Sequence, residues 1–142
     1  MIKTIKHTFF LPHPAELVWD YLTKPELLEQ WLMPNDIKPV VGHKFEFTSA
    51  PKPQMNHDGH NYCEVVEVVP FKKLRYTWKA GPEPGVINLD TLVHWTLTPK
   101  DNGTELHLEH TGFSEIENSL IYNGMNEGWT KHVSKILTLV KQ

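Results

Sequence analysis

Cysteine is almost missing from this chain of 142 residues: Cys63 stands alone, so no internal disulfide can form. That usage fits a reducing compartment, and a cytoplasmic location is the expectation. The opening stretch MIKTIKHTFF lacks the roughly 7–15-residue apolar core of a secretory signal. No apolar run approaches the ~20 residues that cross a bilayer, so no membrane span is expected. Charge of one sign is scarce too. The 14 Lys and Arg stand against 17 Asp and Glu, a net charge of −3, with no basic cluster of the kind a nucleic-acid groove displays. Linear catalytic signatures are also absent: no Gly-x-Ser-x-Gly elbow, no phosphate-cradling glycine loop and no HExxH helix.

Large rings, by contrast, are abundant, with five Trp, six Phe and four Tyr. A chain of this length buries roughly 65–70% of its unfolded surface, enough for a core without disulfide or metal staples. No composition shift, internal repeat or low-complexity segment divides it, so residues 1–142 read as one domain.

Residues 3–10 read as a first strand. LPHPAELVWDYL follows, with Pro14 at the first helical position and Leu17, Val18, Tyr21 and Leu22 at helical spacing. Lys24-Pro25 restarts a second short helix, PELLEQWL, that turns Leu28 and either Trp31 or Leu32 inward. The period then changes to two. GHKFEF alternates Phe45 and Phe47 with charge, and NYCEVVEVV is a strand ended by Pro70. KLRYTW places Leu74, Tyr76 and Trp78 on one face. From Ile87 to Thr98 one lane holds Ile87, Leu89, Thr91, Val93, Trp95 and Leu97. PKDNGT fits a hairpin loop of about four residues leading into ELHLEHTGF. The last third is helical, with Met125, Trp129, Val133, Ile136 and Val140 stepping by four or three. Sequential hairpins pair antiparallel, so the fold class is α+β. It is a curved antiparallel sheet of about six to seven strands covered by the long C-terminal helix, with two short helices after the first strand.

Candidate chemistry is sparse. His57 and His60 in NHDGH flank Asp58, but no further ligands can be identified, so no metal is expected. Cys63 in a strand reads as a small buried hydrophobe. Glu64 and Glu67 are expected on opposite strand faces, which denies them a paired acid–base role. His94 and His107 fall on outward faces, and His13 sits between two prolines. No catalytic residue and no cofactor is assigned. Gly124 and Gly128 are expected on the inner side of the last helix, where they imply either close approach to the sheet or space left open.

His110 is the exception to the pattern. In ELHLEHTGF it shares the apolar face with Leu106 and Leu108. For the faces to match across the hairpin, paired residue numbers must sum to 201 or 203, which sets His110 opposite Thr91 or Val93. Thr91 is the one polar residue of its lane, so two polar exceptions meet. Two accounts stand side by side: a satisfied core pair, or a polar anchor in an apolar cavity.

The order of elements resembles the START-like (SRPBCC) superfamily, the helix-grip fold. Within it, the chain is similar to the family named for the activator of heat-shock protein 90 ATPase. The resemblance rests on PAELVWDYLTKPELLEQWL, MPND with VGHKFEF, EVVEVVPFKKLRYTW, VHWTLTPKDNGTELHLEHTGF and the EGW that opens the last stripe, and it spans nearly the whole chain. It implies a cavity between sheet and C-terminal helix that accepts a flat apolar molecule. The lining would then be Phe45, Phe47, Tyr76, Trp78, Thr91, Val93, Trp95, Leu108, His110, Met125 and Trp129. The leading expectation is a non-enzymatic binder of a small apolar ligand, aromatic, polyketide-like or lipid-like. The alternatives are an interaction module with a possible chaperone contact, and an enzyme using His110 as acid or base on a polyketide-like substrate. The family's co-chaperones also carry a separate N-terminal chaperone-binding domain, for which 142 residues are expected to leave no room.

Overall fold

Alternation of apolar and polar residues decides most of the architecture, described for residues 2–51, 58–83, 85–114 and 119–139 by the computed structural model. Strand β1 (Ile2–Leu11) is followed by helices α1 (Ala15–Thr23) and α2 (Pro25–Trp31). Strands β2 (Lys44–Thr48), β3 (His60–Val69), β4 (Lys73–Ala80), β5 (Leu89–Lys100) and β6 (Gly103–Ser114) come next, then helix α3 (Ser119–Leu139). The strands form one antiparallel sheet in the order β1-β6-β5-β4-β3-β2. Six strands therefore realise the expected six to seven. Because β1 and β2 occupy opposite edges, the α1–α2 segment carries the chain across the sheet, and α3 packs against β1, β6 and α2.

The helix starts follow the prolines. Pro14 is the N-cap of α1, one residue before the helical position assigned to it from the sequence, and Pro25 opens α2. Leu28 and Trp31 are the buried pair of α2, and the Trp31 indole N–H donates to the Tyr21 carbonyl at 2.8 Å, tying the two helices together.

Two bulges modify the simple alternation. In β6, Thr111 pairs with Thr4 and Leu92 while Phe113 pairs with Lys3, leaving Gly112 as the extra residue. Gly112 has φ +111°, and a Cβ there would lie 2.9 Å from the Asp90 carbonyl oxygen, so only glycine fits. The bulge turns both His110 and Phe113 inward, and both are buried. In β3, Val65 pairs with Tyr76 and Glu67 with Arg75, so Val66 is extra. This corrects the expectation for Glu64 and Glu67. The inserted residue puts both on the outer face, Glu64 opposite Lys44 and Glu67 opposite Arg75.

The β5–β6 hairpin is tighter than the sequence suggests. Lys100 pairs with Gly103, and Asp101 and Asn102 form a two-residue turn with φ of 50° and 63°. Asp and Asn tolerate this left-handed conformation, which matches strand twist and removes the need for a longer loop. Ile87 lies outside β5 and is exposed, so the inward lane begins at Leu89.

Candidate functional site

The inward lanes bring nearly all of the expected lining residues together. Phe45 and Phe47 of β2, Tyr76 and Trp78 of β4, Thr91, Val93 and Trp95 of β5, Leu108 and His110 of β6, and Trp129 of α3 are all buried. Met125 is half-buried, at the margin of this cluster. The rings interlock. Phe47 stacks on Trp78 with centroids 4.9 Å apart, and Trp129 meets Trp78 and Trp95 edge-on at 5.7 and 5.5 Å. Each such pair contributes about 0.5–1.5 kcal/mol beyond the burial of its area.

His110 sits in this cluster opposite Val93, the pairing whose residue numbers sum to 203. Both ring nitrogens are engaged. The Trp129 indole N–H donates to Nδ1 at 3.1 Å, and Nε2 lies 2.7 Å from the Thr91 hydroxyl oxygen. An indole can only donate, so Nδ1 is the acceptor and the ring proton resides on Nε2. Nε2–H then donates to Thr91, whose own hydroxyl donates to the Trp78 carbonyl at 2.8 Å. The result is a directed chain from α3 through β6 and β5 to β4, with every donor matched. Burial pushes the imidazole pKa down to about 3, which agrees with the neutral form that the chain requires.

A second buried polar group is absent from the sequence reading. Asn61 of β3 accepts from the Trp78 indole N–H at 3.0 Å and donates to the Phe47 carbonyl at 3.3 Å. Its position in the inward lane with Cys63 and Val65 was available as a signal, since an Asn at an apolar lane position needs partners. The Trp95 indole N–H donates to the buried Tyr76 hydroxyl at 3.0 Å.

Burial changes along α3. Trp129, Val133 and Ile136 are sealed against the sheet and α2, whereas Met125 and Tyr122, one and two turns earlier, stay half-buried. His7 of β1 reaches this end and donates from Nε2 to the Asn126 carbonyl at 3.1 Å. The glycines do not mark a close approach here. Gly124 is exposed, and a Cβ on Gly128 would meet only the edge of His132 at 3.8 Å. Val140 lies outside the described residues.

The remaining candidates lie elsewhere. His60 Nδ1 is 3.0 Å from a Glu46 carboxylate oxygen, and its backbone N–H donates to Asp58; His57 lies outside the described residues. Burial, with Glu46 and then Asp36 nearby, pushes the Cys63 thiol up and keeps it protonated. On the outer face of the sheet a groove of about 480 Å³ is lined by Lys6, Thr8, His94, Thr96, His107 and Glu109. Four of these six side chains already pair with neighbours: Thr8 with His107 at 2.8 Å, His107 also with Glu105 at 3.0 Å and Thr96 with His94 at 3.4 Å.

The sequence profile of the family described as Activator of Hsp90 ATPase homolog 1-like protein matches residues 12–141. The chain belongs to that family. Protein MLL2253 from Mesorhizobium loti is 36% identical, with a TM-score of 0.85 over 97% of this chain and 96% of that one. The Aha1 dimer from Colwellia psychrerythraea is 19% identical, with a TM-score of 0.73 over 94% of this chain and 92% of that one. DynU16, from the dynemicin biosynthetic locus, is 20% identical, with a TM-score of 0.74 over 95% of this chain but 46% of its own length. The last two share the fold at this level of identity. No curated protein matches the sequence. Among the described residues, no helix is long and apolar enough to cross a membrane.

Proposed function

We propose that this member of the Hsp90-activator-like family binds a small, largely apolar ligand, aromatic, polyketide-like or lipid-like, between the sheet and the N-terminal half of α3. The observation that carries this reading is the gradient of burial along the inner stripe of α3, sealed from Trp129 to Ile136 and only half-buried at Met125 and Tyr122. A ligand there would rest on the ring cluster, with Trp78, Phe113 and Trp129 as its floor. Its affinity would come mainly from burial, at about 25 cal/mol per Å² of apolar area. His110 belongs to the floor, because both of its nitrogens are spent inside the protein. For the same reason the geometry gives no support to His110 as an acid or base in catalysis.

A neutral fluorescent probe, N-phenyl-1-naphthylamine, tests the reading directly. Saturable binding is expected, weakened more than about tenfold by Met125→Arg, which sets a charge at this apolar position. Met125 is half-buried, so the urea midpoint should change little. Absence of saturable binding to the wild-type protein overturns the proposal.

One observation favours a second reading, a protein-interaction surface of the kind the family description suggests. The Gly42 N–H donates to the Val65 carbonyl at 2.8 Å, which brings Val40 and Val41 alongside β3 near Val66. These three side chains are 59%, 61% and 40% exposed. Exposed apolar side chains gathered in one place are what a docking partner such as the chaperone would cover. Loss of Hsp90 binding in Val41→Asp, with probe binding retained, would support this surface.

A further inference from the structure

The inward lane of β1 ends on a charge. Lys3 pairs across the β1–β6 ladder with Phe113, and paired residues share a face of the sheet. Phe113 is fully buried on the α3 side, so Lys3 points to that side as well. Its ammonium nitrogen lies 4.8 Å from the centre of the Tyr122 ring, and Tyr122 in turn meets Phe113 edge-on at 5.4 Å. A half-buried lysine thus sits at the margin of the core, over the half-buried Tyr122 that packs on Phe113, on the side of α3 that also carries the half-buried Met125.

No carboxylate among the described residues compensates this charge. Among the described residues the carboxylates in ion pairs are taken by Lys24, Arg75, Lys100, His60 and His107, and none reaches Lys3. Tyr122 stands in the first turn of α3, and that turn contains no acidic residue. The ammonium therefore lies beside the positive end of a 21-residue helix, where a cation is disfavoured and an anion would be stabilised. The Tyr122 ring face offsets part of this through cation–π attraction, but it accepts no conventional hydrogen bond. Among the described residues no group accepts a hydrogen bond from the ammonium, which leaves its N–H donors for a head group. The other polar side chain of this lane, His7, has already spent Nε2 on the Asn126 carbonyl.

We propose that the ligand is an amphipathic carboxylate, with an aromatic or alkyl body held by Phe113, Tyr122 and Met125 and a carboxylate held by Lys3. This rests on the ligand site put forward under Proposed function and adds the chemical class of its occupant. One point-charge donor on a flexible stem suits a monoanionic carboxylate. A phosphate dianion calls for more donors, or for the planar fork of an arginine.

The test is a matched pair, 2-naphthaleneacetate and its primary amide, titrated by tryptophan fluorescence at pH 7.5 and low salt. The two share a body and differ in charge. The acid should bind about two- to fivefold more tightly than the amide, the upper part of the range for a partly solvated ion pair. That ratio should fall to about one in Lys3→Met and persist in Lys3→Arg, and high salt should shrink it. Equal binding of acid and amide to the wild-type protein, or a preference that survives Lys3→Met, overturns the head-group assignment while the apolar site stands. So does binding of N-phenyl-1-naphthylamine without either naphthalene compound. If the neutral probe and both naphthalene compounds all fail to bind, the ligand site itself falls, and this inference with it.

Discussion

Trp129 and His110 meet across the α3–β6 interface through a single hydrogen bond, indole N–H to imidazole Nδ1 at 3.1 Å. That bond sets the tautomer of His110, the tautomer sets the direction of the bond to Thr91, and Thr91 passes it on to the Trp78 carbonyl. The interface is therefore fixed by a polar chain as well as by packed rings.

Removing the middle of that chain should cost stability and leave ligand affinity alone. In His110→Phe the volume is kept, but the Trp129 N–H is left buried without an acceptor, while Thr91 retains the Trp78 carbonyl. The expected loss is about 1–3 kcal/mol in urea denaturation. Affinity for N-phenyl-1-naphthylamine should stay within about twofold of wild type, about 0.4 kcal/mol. A variant of unchanged stability but weakened probe binding would return His110 to the role of ligand anchor.

The same residue should shape the acid limb of the stability curve. Folded His110 titrates at about 3, below the ordinary value of 6.5 that it regains when unfolded. Between those values the unfolded chain binds the extra proton, so stability falls as pH falls. The contribution is fully present above pH 6.5 and is lost progressively down to about pH 3, with a slope of up to about 1.4 kcal/mol per pH unit. Urea midpoints at pH 7, 6, 5 and 4 should decline less steeply in His110→Phe than in the wild type. Parallel curves for the two proteins would contradict the assignment.

Much of this arrangement is legible in the sequence because strand parity is a strict rule. One residue in two faces inward, so the meeting of Thr91, Val93 and His110 follows from alternation and a hairpin, whatever its exact loop length. Parity fails wherever a bulge adds a residue. Val66 and Gly112 each shift the count by one, which is why Glu64 and Glu67 share a face and why Phe113 joins His110 inside. A two-residue turn at Asp101-Asn102 was hidden because Lys-Asp-Asn-Gly also suits a longer loop. The graded burial of α3 lies beyond any periodic signal, since Met125 and Trp129 occupy the same helical face and differ only in what the sheet places opposite them.

Asn61 should prove more costly to remove than a typical strand residue. Its amide joins β2 to β4 by accepting from Trp78 and donating to the Phe47 carbonyl. In Asn61→Ala the Trp78 indole N–H loses its buried acceptor and a small void opens, for an expected loss of about 2–3 kcal/mol. The midpoint of urea unfolding, monitored by near-ultraviolet circular dichroism of the tryptophans, measures it. A change below about 0.5 kcal/mol, the range of ordinary surface substitutions, would show that the amide is dispensable.

Two glycines should respond to alanine with opposite signs, and the reason lies in their backbones. Gly128 is helical, and a methyl group there meets only the His132 ring edge at 3.8 Å, an ordinary contact. Alanine then keeps the geometry and reduces the freedom of the unfolded chain, so Gly128→Ala should stabilise by about 0.4–1 kcal/mol. For a domain of this size that is a rise of about 2–5 °C in melting temperature. Gly112 is the reverse case. Its φ of +111° is disfavoured for any L side chain, and the new Cβ would press on the Asp90 carbonyl at 2.9 Å and Thr91 Cα at 3.1 Å. Both contacts are backbone, which cannot rotate away. Relief requires β5 to shift just where Thr91 bonds to His110. Gly112→Ala should therefore destabilise by about 1–3 kcal/mol and flatten the acid limb described above, because a loosened His110 regains access to protons. A tolerated Gly112→Ala would mean that β6 passes this point without the bulge, and Phe113 would then lose its place beside His110.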